Sequence, residues 1–373
     1  VVAELTGERA YWLAWSRISG IGPVLLRRLQ QYFGNLESAW QAGYGELQAV
    51  EGFGEQTVNG IIKERSQLNP EQFLAQHQQQ NPFFWTPADS DYPRLLLEIP
   101  SPPPVLYYRG QLQPSEIQGL VPAVAIVGTR DPSDYGRRWT RKISTVLAKK
   151  GFLIVSGMAE GIDTEAHRAC LEAGGRTIAV FGTGVDVVYP HRNQELYQQI
   201  LTHGVAVSEY PDGTPPDRVH FPRRNRVIAG LSRAVLVMEA PHKSGALITA
   251  HIANDFFRDV YVLPGSLDNS RCLGGLGLLS RGANPILGEG QILDMLAGMP
   301  QLDLFPQSNP AEKLPNLSPQ MKQVWQAIAY EPTSFDTIVE QTGLAAGLVS
   351  SSLLELELMG LISQQPGMRY QKT

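Results

Sequence analysis

Between residues 121 and 290, short apolar runs alternate with longer stretches whose apolar positions recur at helical spacing. The apolar runs are Ala123–Gly128, Phe152–Gly157, Thr177–Gly182, Val205–Glu209, Ala234–Glu239 and Val260–Pro264. The stretches between them cover about 134–150, 160–174, 191–203, 222–231 and 245–257. Strands without polar alternation are buried on both faces, and the intervening helices are what cover those faces. The pattern predicts an α/β fold, a Rossmann-like doubly wound parallel sheet. Ligands of such sheets sit beyond the carboxyl ends of the strands.

The flanks read differently. In residues 1–80, Ile18-Ser19-Gly20-Ile21-Gly22-Pro23 leads into the apolar-periodic Val24–Phe33, and Val50-Glu51-Gly52-Phe53-Gly54 leads into Gln56–Lys63. A repeated Gly-apolar-Gly turn, each copy opening a helix, resembles the helix-hairpin-helix motif. Its free N–H groups suit a phosphate, or the two hairpins serve packing alone; only Arg27, Arg28 and Lys63 lie nearby. Residues 81–110 end in a strand, Val105–Gly110. Residues 300–316, rich in Pro, Asn and Ser, read as a linker. Residues 317–373 carry three helical stretches and a short hairpin, the pattern of a winged helix. The expected organisation is therefore a helical domain over 1–80, a Rossmann-like domain over 81–299, the linker 300–316 and a winged helix over 317–373.

Of the 373 residues, 43% are hydrophobic and 18% charged, which excludes whole-chain disorder. The two cysteines, Cys170 and Cys272, are too few for a disulfide framework or a Cys-rich zinc site. No apolar run reaches the roughly 18–20 residues that span a bilayer. The expectation is a cytoplasmic protein with no membrane partner.

The net charge of −5 argues against nucleic acid only if charge is spread evenly, and it is not. From Arg130 to Lys150 there are seven basic residues and two acidic ones. From Asp217 to Arg233 there are five and one, including His220-Phe221-Pro222-Arg223-Arg224-Asn225-Arg226. Both runs follow strands, so they share one edge of the sheet with Gly128-Thr129-Arg130, Ser156-Gly157 and Ser244-Gly245. Glycines let a ligand approach the backbone, helix starts offer N–H donors, arginines pair with phosphate, and Phe or His stacks on bases. That combination suits a single strand read without base specificity. A solvated helix start whose arginines pair with Glu209, Asp212 or Glu239 is the other reading.

Enzyme signatures are missing. Gly182 and Gly184 lack the third glycine of a dinucleotide fingerprint, and Lys243-Ser244 lacks the glycines of a P-loop. Glu160 and Asp163 flank a helix start, as acid–base groups or as caps of the helix dipole. No nucleophile and base come with an orienting group, so no catalytic residue and no cofactor is assigned. From Gln301 to Thr373 four bases face seven acids, and the third helical stretch carries Glu355 and Glu357 without Lys or Arg. That composition favours a protein partner over a DNA groove.

Several segments together identify a family resemblance. These are Ala125-Ile126-Val127-Gly128-Thr129-Arg130, Ser156-Gly157-Met158-Ala159-Glu160-Gly161-Ile162-Asp163, Gly182-Thr183-Gly184-Val185-Asp186 with Tyr189-Pro190, Phe221-Pro222-Arg223-Arg224-Asn225-Arg226, Ser244-Gly245-Ala246-Leu247-Ile248-Thr249-Ala250 and Pro264-Gly265-Ser266. They are similar to the DNA-processing protein A family (DprA, also called Smf), and the match covers nearly the whole chain. The resemblance implies a non-enzymatic single-stranded DNA-binding protein, dimeric through its Rossmann-like domain. It would protect incoming strands during natural transformation and load the RecA recombinase on them. By the same resemblance Arg130, Ser156, Gly157, Phe221, Arg223, Arg224, Asn225 and Arg226 form the DNA site. One departure is Leu276, where the family commonly has Asn. The alternative from a different class is a nucleotide-modifying enzyme of the phosphoribohydrolase type, with Glu160, Asp163 or Glu239 as its acids.

Overall fold

Nine strands hydrogen-bond into one sheet: β1 (Phe84–Trp85), β2 (Leu106–Gly110), β3 (Ala123–Val127), β4 (Leu153–Ser156), β5 (Thr177–Phe181), β6 (Gly204–Ser208), β7 (Ala234–Val237), β8 (Asp259–Val262) and β9 (Asn284–Pro285). Their order is β1-β2-β6-β5-β4-β3-β7-β8-β9. All neighbours from β6 to β9 pair in parallel, and β2 and β1 extend the sheet antiparallel beyond β6. The computed structural model describes residues 2–297, 318–328, 333–358, 362–365 and 368–372, so the expected linker 300–316 lies outside the described residues.

The six long apolar runs form the strands they predict, and burial explains why. In β3, Ala123, Ala125 and Val127 enter the core on one face of the sheet, while Val124 and Ile126 enter the core on the other. A strand with two dry faces has no polar position to alternate. The covering helices are Asp134–Lys149, Ile162–Glu172, Gln194–His203, His220–Gly230 and Gly245–Asp255. The chain winds outward from β3 through β4 and β5 to β6, then crosses back to place β7 on the other side of β3. The order therefore reverses between β3 and β7, and a crevice opens where the two following loops part.

Residues 2–80 fold as helices Val2–Trp15, Pro23–Phe33, Leu36–Gln41, Tyr44–Gln48, Glu55–Arg65 and Pro70–Gln80. Trp12, Trp15, Leu26, Leu29, Val58 and Ile61 are buried in one cluster. Gly22 and Gly54 cap the helices that follow the two Gly-apolar-Gly turns. Gly20 and Gly52 hold φ of 80° and 89°, a left-handed backbone that glycine adopts without strain. The nearby arginines are held by backbone carbonyls. Arg27 donates to Ile99 O at 3.1 Å, Arg28 to Glu51 O at 2.9 Å and Arg65 to Ala42 O at 2.9 Å.

The chain divides into two units, Val1–Leu302 and Asp303–Thr373. The second contains helices Pro319–Ala327, Phe335–Thr342 and Ala346–Leu358 with a small sheet of β10 (Thr333–Ser334), β11 (Ile362–Gln365) and β12 (Arg369–Lys372), ordered β10-β12-β11. Val324, Ile338, Val349, Leu353 and Leu356 fill its core. This is a winged helix. Among the described residues, no helix is long and apolar enough to cross a membrane.

Candidate nucleic-acid interface

Beyond the carboxyl ends of β3, β4 and β7 lies a groove of about 680 Å³. Its walls come from the loop after β3 (Gly128, Thr129, Arg130), the start of helix His220–Gly230 (Phe221, Arg224, Asn225) and the approach to helix Gly245–Asp255 (Lys243, Ser244). The groove thus occupies the crevice that the strand order creates.

The Arg130 loop is fixed from both sides. Thr129 N donates to Glu239 O at 2.7 Å, and Ile162 N donates to Thr129 O at 3.2 Å. Ser133, which caps helix Asp134–Lys149, donates its N–H to Glu239 Oε2 at 2.8 Å, and its hydroxyl donates to the same carboxylate. Arg130 itself is exposed, and its guanidinium stands 5.7 Å from the centre of the Phe221 ring. The Tyr189 and Phe221 rings lie 5.6 Å apart, and Phe221 packs so close to Gly182 that a Cβ there would stand 2.9 Å from the ring. No bulkier residue fits under that aromatic wall.

The floor holds two buried side chains of opposite charge. Arg224 is 6% exposed, and its Nη1 donates to Gly157 O at 2.6 Å and to Val180 O. Asp163, also 6% exposed, accepts from Gly157 N at 3.1 Å and Ala159 N at 3.4 Å. A Cβ on Gly157 would stand 2.7 Å from both the guanidinium and the carboxylate. Burial pushes the Asp163 carboxyl up to about 6, with Arg224 and the two N–H groups pulling back. Burial likewise lowers Arg224 to about 10, with Asp163 pulling the other way. Behind them His167 is fully buried and burial holds it down to about 3. Thr177 Oγ1 gives its proton to Ile154 O, so it accepts from His167 Nδ1 at 2.7 Å and fixes a neutral ring.

The expected site residues separate into three groups. Arg130, Phe221, Arg224 and Asn225 line the groove. Gly157 lines a smaller recess of about 120 Å³ that shares Arg130, Phe221 and Arg224 with it. Arg223 is exposed beside the groove. Ser156 and Arg226 face elsewhere. The Ser156 hydroxyl is buried and donates to Ile126 O at 2.6 Å. Arg226 donates to Ser101 O and pairs with Glu209, one of the acids that the sequence offers as a partner.

Two cations deserve addition: Arg218 and Lys243 are exposed and line the groove. Both stand just before helices that start at strand ends, which was the available sequence signal. Among the described residues Arg130, Arg218 and Lys243 pair with no carboxylate. The basic helix Asp134–Lys149 contrasts with them, because its Arg137 and Arg141 share Glu165 and its Lys142 pairs with Glu289.

The three candidate acids are also committed. Glu160 pairs with Arg192, Asp163 holds the groove floor, and Glu239 binds Ser133 and accepts from Asn269 Nδ2 at 3.3 Å. Among the described residues no group of three or more His, Cys, Asp or Glu side chains could hold a metal ion.

Residues 83–297 match the family described as DNA recombination-mediator protein A, and residues 308–368 match the DprA winged helix domain. Protein Smf of Synechocystis sp. is 54% identical, over 98% of this chain and 99% of its own. The solved structure of DNA processing protein A from Streptococcus pneumoniae is 34% identical with a TM-score of 0.67, covering 76% of this chain and 97% of its own. That of Helicobacter pylori DNA processing protein A, described for its single-stranded DNA binding mode, is 31% identical with a TM-score of 0.52, over 58% of this chain and 98% of its own. Sheet order, strand-end groove, winged helix and these matches agree: the chain belongs to the DNA recombination-mediator protein A (DprA/Smf) family.

Proposed function

We propose that this chain binds single-stranded DNA along the strand-end groove, without catalysis and with little sequence readout. The observation that carries the reading is the set of cations Arg130, Arg218 and Lys243, unpaired among the described residues, around a groove walled by Phe221 and floored by Arg224 and Asp163. Cations neutralise phosphates and release their counterions, while the half-buried Phe221 ring at the groove wall offers a stacking platform that accepts any base. Against the enzyme reading, Glu160, Asp163 and Glu239 each hold a structural partner. Arg130, Arg218, Lys243, Phe221 and Asn225 touch the strand in this proposal. Arg223 adds charge at the rim, Gly157 and Arg224 shape the floor, and Ser156 and Arg226 support it from behind.

The relative from Helicobacter pylori is described as binding single-stranded DNA, and the family as mediating recombination. The finer proposal is that the bound strand is protected and passed to the RecA recombinase during transformation, by a cytoplasmic homodimer. The helical segment 1–80 and the winged helix 317–373 are accessory to that task. Fluorescence anisotropy with labelled oligothymidylate tests the site. Arg130→Glu should weaken binding by tenfold or more and leave the melting temperature unchanged. Wild-type affinity in both Arg130→Glu and Lys243→Glu would overturn the assignment.

A further inference from the structure

A second recess, of about 350 Å³, lies further along the sheet and contains no residue of the expected site. Its walls include Phe83, Tyr107, Tyr108, Arg109, Val185 and Asp212. Val185 follows β5 and Asp212 follows β6, while Tyr107 to Arg109 belong to β2. In sheet order β6 and β2 stand two and three strands from β4, roughly 10–15 Å at the usual spacing between strands.

Its chemistry differs from that of the groove. Phe83 is 56% exposed, with the Tyr108 ring 5.8 Å away. Beside it Arg109 Nη2 pairs with Asp212 Oδ2 at 2.5 Å, and Asp212 N donates to Asn81 Oδ1 at 2.9 Å, which fixes the pair in place. A phosphate beside Arg109 would meet the Asp212 carboxylate. A nucleobase would not, because it carries no charge, and its edge offers acceptors to a guanidinium and N–H donors to a carboxylate. The flat face of such a base matches the exposed face of Phe83.

The segment that leads from the recess to the groove also carries aromatic side chains. Phe221 follows His220, whose ring stacks on Tyr210 with centroids 3.9 Å apart and planes at 22°. His220 Nδ1 lies 3.2 Å from Gly182 O, on the same turn that packs under Phe221. Two residues beyond Tyr210 comes Asp212, a wall of the recess.

We infer that the recess takes a nucleobase of the strand held in the groove, so that the strand runs on across the ends of β5 and β6 to Phe83. The inference rests on the single-stranded DNA reading and extends its track. The test uses the full chain, with labelled oligothymidylates of about 5 and about 15 nucleotides, within the range of single-strand site sizes. Phe83→Ala should lower affinity for the longer oligonucleotide about fivefold or more, the loss of one base–aromatic stack, and leave the shorter one unchanged. Phe83→Trp should restore the longer one. Equal affinity of Phe83→Ala and wild type at both lengths overturns the inference, and so does an equal loss at both lengths. In either case loss of binding in Arg130→Glu would still uphold the groove. A 5-iodouracil placed at the distal end of the longer strand should crosslink to a peptide containing Phe83 or Tyr108, and crosslinking only to groove peptides also overturns it.

Discussion

The N-terminal hairpins and the strand-end groove use the same local pattern: a glycine turn, a helix start and arginines close by. They dispose of those arginines in opposite ways. Arg27, Arg28 and Arg65 donate to carbonyls of their own unit, at Ile99, Glu51 and Ala42. Around the groove Arg130, Arg218 and Lys243 remain exposed, and the arginine that does turn inward, Arg224, becomes the floor. A glycine turn announces a helix N-terminus, and only tertiary structure decides whether the nearby cations are available to a ligand. The hairpin arginines are thus held by carbonyls, whereas the groove cations stay open to a ligand.

The largest test of that contrast compares a buried arginine with a partly exposed one. Arg224→Ala removes the buried donor to the Gly157 and Val180 carbonyls and the cation near Asp163, which costs about 2 kcal/mol or more. Arg28 and Glu51 form an exposed pair, so Arg28→Ala should change stability by about 1 kcal/mol or less. Thermal and urea unfolding of the two variants should separate them clearly. Similar small losses in both would mean that the groove floor is no more structural than the hairpin surface. Arg224 is therefore a poor choice for mapping DNA contacts, since its loss disturbs the fold before it reports on binding.

The charged floor also predicts a pH effect. Asp163 lies near 6 in the fold and an ordinary carboxyl near 3.9 unfolded, so its stabilisation is full below about 4 and lost as pH rises through 6. His167 lies near 3 in the fold and near 6.5 unfolded, so its stabilisation is present above 6.5 and lost as pH falls toward 3. Between roughly pH 4 and 6 the two slopes oppose each other. Asp163→Asn removes one of them, and its stability should fall on acidification about 1.4 kcal/mol per pH unit more steeply than wild type in that window. Parallel stability–pH curves would show that the two groups do not compensate.

The smallest effect is the most direct comparison. Three groove cations predict that the logarithm of affinity falls with the logarithm of salt at a slope of about −2 for a single strand. Lys243→Gln should make that slope shallower by about 0.7, and Arg28→Gln should leave it alone. A shallower slope for Arg28→Gln would bring the hairpins into the binding surface.

Much of this was legible in the sequence, for specific reasons. The strands β3 to β8 are apolar on both faces, so their runs stand out even where they are only four or five residues long. The helices between them show through their period. β1 and β9, of two residues each, are too short for any period to show. At the site, Arg130 and Phe221 were visible because each follows a strand in a distinctive local pattern. The separate fates of Arg223, Arg224 and Arg226 were not. Three arginines within four positions of one helix point in different directions, to solvent, to Gly157 and to Glu209. Adjacent charge in sequence carries no record of direction once the residues wind around a helix. Lys243 was hidden for a related reason, since it approaches the groove across the reversal between β3 and β7.

The brevity of the two outermost strands has a consequence for contacts between copies of the chain. A sheet of this size presents unpaired N–H and C=O groups at its margins, and long flat margins recruit neighbouring chains into aggregates. Here β1 and β9 each end the sheet after two residues. Among the described residues neither margin offers a long template for a second copy to zip onto.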